Sequence, residues 1–408
     1  MAGSQNFWGG DGAGRSARAS TIAAAGAMAL LLAACNGSSS HEEPAGSTEL
    51  SAAAHLGEKI FHDTSLSASR AQACSTCHDP ANAHAPSNGL PAQLGGPNLN
   101  LQGLRQAPSI RYLRFNTAFF FDGEGTPTGG FFWDGRAASL QAQAAEPFLN
   151  SFEMAMPSKA AVVQRLSQAS YADEFRRVFG ADIFADAETA YDRMTFAIAQ
   201  YEKEDDEFAE FSSKYDAFVR GQTTLTAQEL RGLALFNDPT KGNCAGCHPS
   251  ARGADGSLPL FTDFTYDNLG VPRNPELQAN ADPARFDLGL CARPDGSMSA
   301  RTDLCGAFKV PSLRNVARRH TFFHNGRFKT LKDALTFYVQ RDTNPEKFYP
   351  TVNGVVQKFD DLPPQYHPNV NRTEVPYDRN PGEAPALSDA EIDDLIVFLN
   401  TLSDGFVP

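Results

Sequence analysis

Two short strings in this sequence have residue types and spacing that could do chemistry: Cys74-Ser75-Thr76-Cys77-His78 and Cys244-Ala245-Gly246-Cys247-His248. Both read C-x-x-C-H. Two thiols one helical turn apart can add to the two vinyl groups of one haem, and the adjacent histidine then reaches the iron. A zinc site would need a second Cys or His pair close to each string. A thioredoxin-type redox pair would require neither the histidine nor a second copy. The spacing therefore predicts two covalent haem c groups, held by Cys74, Cys77 and His78 and by Cys244, Cys247 and His248.

The other three cysteines have separate explanations. Cys291 and Cys305 bound a polar loop that contains Gly, Pro and Arg but no His, which favours a structural disulfide over a metal site. Closing a loop of this size stabilises by about 3 kcal/mol in the chain-entropy model. Cys35 ends the run Leu32-Ala33-Ala34-Cys35, preceded by Arg15, Arg18 and an apolar stretch from Ile22. That pattern reads as a secretory signal over 1–34, too short to span a membrane. It resembles a lipobox, which would make Cys35 a lipidated first residue; a plain signal peptide cut nearby is the alternative. A flexible tether over 35–52 follows. Export to the periplasm would put the disulfide in an oxidising compartment, and would leave Trp133 as the one tryptophan of the mature chain.

These residues need elements to hold them. The chain of 408 residues is 41% hydrophobic and 20% charged, so a sizeable core is expected. Its 35 Lys and Arg against 48 Asp and Glu give a net charge of −13, which argues against a nucleic-acid partner. Leu56-Gly57-Glu58-Lys59-Ile60-Phe61 precedes the first haem string and Arg231-Gly232-Leu233-Ala234-Leu235-Phe236 the second. Each is an amphipathic helix with a small residue for close packing, a weak internal repeat. Helices are also predicted over 157–179, 185–220, 330–338 and 388–402, with Thr226 and Ser388 as caps. Segments 84–130 and 249–320, rich in Gly, Pro and Asn, should be long ordered loops around the haems. The expected fold is all-α, with two cytochrome c-like haem domains at 53–225 and 226–408.

Further motifs carry a resemblance. Phe132-Trp133-Asp134-Gly135-Arg136-Ala137, then Gln143-Ala144, Pro147 and Glu153-Met154, resemble the bacterial di-haem cytochrome c peroxidase superfamily, which includes MauG. So do Phe308-Lys309-Val310-Pro311-Ser312-Leu313-Arg314-Asn315 and Phe323-His324-Asn325-Gly326. Asp360-Asp361-Leu362-Pro363 and the Cys291/Cys305 insert look most like the MauG-like branch of methanobactin operons.

The resemblance implies roles. Glu153 is the distal acid–base that moves a proton between peroxide oxygens. Gln143 and Pro147 shape that pocket, and Trp133 bridges the haems. Asp134 and Arg136 form a structural ion pair or meet a haem propionate. The loop histidine that blocks the first iron in many relatives falls near Ile110, so the first haem is open, with His78 alone. His84 reads as a surface loop residue. Opposite His248, the position of the family's second ligand falls on Tyr338; Met298 is misplaced, and His320 and His324 are rivals. A phenolate there would favour oxidised iron, where Met raises the potential. An interdomain calcium would take the Gln106 side chain and the carbonyls of Arg319 and Thr321.

The expectation is a MauG-type oxidoreductase of the periplasm, anchored by lipid, as a monomer or homodimer. It would cleave hydrogen peroxide at the first haem, share the oxidising equivalents between both haems and oxidise a residue on a partner protein at long range. The alternative is a peroxide-detoxifying cytochrome c peroxidase fed by a small cytochrome c or cupredoxin, for which the acidic surface suits a basic donor. A pure electron carrier has no use for Glu153, Gln143 and an open haem.

Overall fold

Side-chain caps start most of the helices, as local sequence dictates. Ser51, Ser139, Ser158, Asp186, Ser213, Thr226, Thr330 and Ser388 each accept a backbone N–H of the first turn. The structure, a computed structural model, describes residues 49–408; the expected signal segment and Cys35 lie outside the described residues. Its helices are α1 (Ala52–Phe61), α2 (Cys74–Cys77), α3 (Leu140–Leu149), α4 (Lys159–Leu166), α5 (Ala172–Phe179), α6 (Ala187–Glu204), α7 (Lys214–Val219), α8 (Ala227–Asn237), α9 (Leu331–Gln340) and α10 (Asp389–Asn400). Strands among the described residues are four antiparallel pairs of two residues each, so the fold is helix-rich. No described helix is long and apolar enough to cross a membrane.

Two expected helices are shorter than their sequence windows. The 157–179 segment breaks between α4 and α5, where the Ser167 hydroxyl donates to the Gln164 carbonyl at 2.8 Å. Serine competes in this way with helical backbone bonding. The 185–220 segment ends α6 at Glu204. Glu202, Glu204, Asp205 and Asp206 crowd negative charge at a helix C-terminus, where the dipole disfavours it; α7 then restarts at its Ser213 cap.

The two largest apolar cores separate along the chain. One gathers Leu56, Phe61, Phe148, Val162, Phe175 and Met194, with Cys74 against it. The other gathers Phe236, Phe261, Ile392, Leu395 and Phe398, with Cys244 against it. Each rests on a close helix crossing. A Cβ on Gly57 would lie 2.0 Å from the Ala197 carbonyl oxygen, bringing α1 onto α6. A Cβ on Gly232 would lie 2.2 Å from the Asp394 carbonyl oxygen, bringing α8 onto α10.

The repeat continues beyond these helices. Pro108-Ser109-Ile110-Arg111 in the first half matches Pro311-Ser312-Leu313-Arg314 in the second. An aromatic turn follows in each: Phe131 N–H donates to the Ala137 carbonyl and Phe322 N–H to the Phe328 carbonyl, both at 2.9 Å. Phe132 and Phe323 hold φ near 64° and 66°, and Gly135 and Gly326 near 67° and 60°. Capped helices α3 and α9 come next. In this register Trp133 corresponds to His324, Gln143 to Ala334, and Pro147 to Tyr338.

Candidate active site

The C-terminal half encloses a cavity of about 650 Å³, a cofactor-sized space. Cys244, Cys247 and His248 line it, and so do Tyr338 from α9, Trp133, Lys309, Arg319 and His324. The His248 Nδ1–H donates to the Phe261 carbonyl at 2.7 Å, leaving Nε2 as the ligating nitrogen. Burial pushes the Tyr338 phenol far up, so only a strong cation partner would hold it as a phenolate. Of the two rivals to Tyr338, His320 is exposed and is not on the cavity wall. His324 is on the wall, its ring stacked on Phe308 at 3.5 Å.

The four haem-string cysteines are unpaired. Burial pushes the thiols of Cys74, Cys244 and Cys247 up to about 12 and that of Cys77 up to about 11. Cys291 and Cys305 form the expected disulfide.

In the N-terminal half, burial holds the His78 imidazole down at about 4, in the neutral, ligating form. Glu153 sits in the turn after α3. Desolvation pushes its carboxyl up to about 7, against the pull of Arg136 and the Asn150 amide, which donates to Oε1 at 2.9 Å. The turn is tied to its surroundings through backbone. The Pro147 carbonyl accepts Met154 N–H at 3.1 Å and the Glu153 carbonyl accepts Gly96 N–H at 2.8 Å. A Cβ at Gly95 would lie 2.2 Å from the Phe152 carbonyl oxygen, so the strand Leu94–Gly95, paired with Leu101–Gln102, can approach only with glycine there. Gln72 completes the link: its amide donates to the Leu94 carbonyl at 3.0 Å and lies 3.8 Å from the Cys77 sulfur. Gln143 and Pro147, four residues apart on α3, share one helix face. Gln72 and Asn150 carried no motif in the sequence; only the folded contacts reveal them.

Between the two sites the halves exchange backbone hydrogen bonds. Gln106 N–H donates to the His324 carbonyl at 2.7 Å, and Lys309 N–H to the Trp133 carbonyl at 2.9 Å. The Trp133 indole donates to the Gln106 carbonyl at 2.8 Å. Asp134 is buried and pairs with Arg136 at 3.0 Å, as the ion-pair expectation had it. Arg105 bridges Asp134 and Asp287, at 2.6 Å to each. The sequence did not point to Arg105 or Asp287. For the expected calcium, the fitting observation is Gln106 Oε1, buried without a hydrogen-bond partner. The carbonyls of Arg319 and Thr321 accept no protein hydrogen bond among the described residues. Both residues also line the cavity.

One expectation is overturned. His84 is not a surface loop residue: it is fully buried. Its ring packs 4.2 Å from Phe208, and its carbonyl accepts the His78 Nδ1–H at 3.3 Å. The loop folds back through two successive left-handed residues, Ala83 and His84, which proximity to the haem string could not announce.

Known proteins resemble this chain as a whole. The family model for di-haem cytochrome c peroxidase matches residues 51–224. The methylamine utilization protein MauG of Paracoccus denitrificans is 36% identical over 86% of this chain and 89% of its own. The cytochrome c551 peroxidase of Nitrosomonas europaea is 31% identical over 69% and 71%. The crystal structure of the diheme peroxidase BthA from Burkholderia thailandensis superposes with a TM-score of 0.80 at 40% identity, covering 86% of each chain. The twofold haem strings, the cavity and these likenesses converge, and the chain belongs to the di-haem cytochrome c peroxidase family that includes MauG, whose members carry two c-type haems and act as oxidoreductases on peroxide.

Proposed function

We propose that this protein works in the MauG manner, using peroxide to oxidise a residue of a partner protein at long range. The observation that carries this reading is Tyr338. It lies on the cavity wall with His248, at the position that the first half fills with Pro147. A proline side chain offers iron no donor atom, whereas a tyrosine oxygen does. The same repeat thus supports one haem open to peroxide, on His78, and one closed by His248 and Tyr338.

The haems, once bound, supply the iron that meets peroxide and holds oxidising equivalents. The chain supplies the rest. Glu153, with its carboxyl near 7, takes a proton from one peroxide oxygen and returns it to the other. Gln143 donates a hydrogen bond to the incoming oxygen and Pro147 keeps the position free. Trp133 shortens the electron path between the sites. Gln106, Arg319 and Thr321 would hold a calcium ion beside it. An exported, lipid-anchored protein in the periplasm, as monomer or homodimer, completes the proposal.

The second reading is a detoxifying peroxidase supplied by a small electron-transfer protein, the activity named for the Nitrosomonas europaea relative. Peroxide added to the fully oxidised protein separates the two. Immediate spectral change at both haems supports the MauG reading. A reaction that waits for prior reduction of the second haem supports the detoxifying one and overturns ours.

A further inference from the structure

The histidines of both haem strings hang from the same backbone device. In the C-terminal half the Phe261 carbonyl accepts the His248 Nδ1–H at 2.7 Å and the Leu313 N–H at 3.2 Å. In the N-terminal half the His84 carbonyl accepts the His78 Nδ1–H at 3.3 Å and the Ile110 N–H at 3.2 Å. Phe261 and His84 are both left-handed, at φ near 53° and 51°. Ser312 and Ser109 each pin the residue before, donating to the carbonyls of Leu260 and Ala83 at 2.6 and 2.7 Å. The backbone frame matches, while three things differ: the side chain on the accepting residue, the length of the histidine bond, and the Pro108 carbonyl, which stands as a second backbone acceptor for His78 where His248 has Phe261.

Phe261 packs in an apolar core. His84 is tethered instead. Arg111 Nε–H donates to His84 Nδ1 at 3.3 Å, which puts the ring proton on Nε2, 3.8 Å from Glu207. Arg111 is itself held by Glu210 at 2.5 Å and Asp404 at 3.2 Å. Asp404 in turn accepts from the Asn315 amide at 2.6 Å and the Tyr112 hydroxyl at 2.7 Å. Every partner beyond Arg111 except Glu210 is buried, so the tether is anchored in both halves of the molecule.

We infer that His84 is a positioning residue for the His78 imidazole: the Arg111 tether on its ring holds its carbonyl back and keeps the proximal hydrogen bond of the first haem long. A shorter bond to the far nitrogen makes a ligating histidine more basic and stabilises oxidised iron; a longer one does the reverse. The tether thus gives the peroxide-binding haem a less basic ligand than its counterpart. The inference rests on His78 being that haem's axial ligand.

Three variants test it on the haem-loaded protein, by the first haem's midpoint potential and its ferrous iron–histidine stretching frequency. His84→Phe copies the other half: the potential should fall and the frequency rise, with the second haem unmoved. His84→Asn keeps an acceptor for Arg111 and tolerates a left-handed backbone, so both values should stay as in the wild type. Arg111→Met removes the donor while leaving the ring, and should follow the Phe variant even if that one fails to fold. A ring that merely fills space between Phe61 and Phe208 predicts the opposite order, with Phe silent and Asn disturbed. That order, or unchanged values in Phe and Met variants alike, overturns the inference alone. Absence of an iron–histidine stretch in the wild-type first haem overturns the ligand reading, and the inference with it.

Discussion

The N-terminal and C-terminal halves build the same scaffold and give it different tips. A glycine helix crossing, a C-x-x-C-H turn, a Pro-Ser-x-Arg loop, an aromatic turn and a capped helix recur in order. At equivalent places the first half carries Trp133, Gln143 and Pro147, the second His324, Ala334 and Tyr338. The scaffold fixes which position faces a given place; on the proposed reading the side chain there would leave the first iron open and close the second. Duplication of a stable frame leaves single positions free to diverge, and function sits in them.

The largest effect should come from Tyr338→Met, which on the proposed reading replaces a tyrosine oxygen at the second iron by a thioether. The second haem's potential should rise, and oxidation of a partner protein should disappear while peroxide still reacts at the first haem. Redox titration with peroxide assays checks this; an unchanged potential would mean that His324 or no side chain holds that iron.

Next is Glu153→Gln. Removing the proton acceptor should slow the reaction with peroxide by about 10²–10⁴-fold, read by stopped flow. The sign with pH follows from a carboxyl raised to about 7 by burial. The carboxylate that accepts the proton fills as pH rises through 7, so the wild-type rate should climb there. In Glu153→Gln that limb should be flat.

Replacing Cys291 and Cys305 together with Ser should lower stability by about 3 kcal/mol, in the C-terminal half, whose loop the bridge closes. Denaturant unfolding followed separately at each haem would detect the asymmetry; equal loss at both would show that the halves unfold as one. Smallest are Gly57→Ala and Gly232→Ala. Each forces a methyl against a helix carbonyl, at 2.0 and 2.2 Å, and should cost about 1–3 kcal/mol. Similar losses would show that the two crossings carry similar weight.

Legibility followed sequence distance. The Thr226 and Ser388 capping boxes, the haem strings and the disulfide are visible because partners lie three to fourteen residues apart. The window 185–220 misled because apolar spacing continues past Glu204, while the crowded acids end the helix. His84 misled more deeply: six residues from a haem ligand, polar, in a loop, it is fully buried because Arg111, Phe208 and a doubled left-handed turn close over it.

By itself the sequence determined the covalent chemistry, since bonds between near neighbours depend on spacing that the chain cannot alter. Only the tertiary structure decided what surrounds that chemistry: the Arg105 bridge from Asp134 to Asp287, the exchange of hydrogen bonds between Gln106 and His324 and between Lys309 and Trp133, and the equivalence of Pro147 with Tyr338. These partners are brought together by the packing of two halves far apart in the chain, and no local pattern records which distant residue a buried charge or carbonyl will meet.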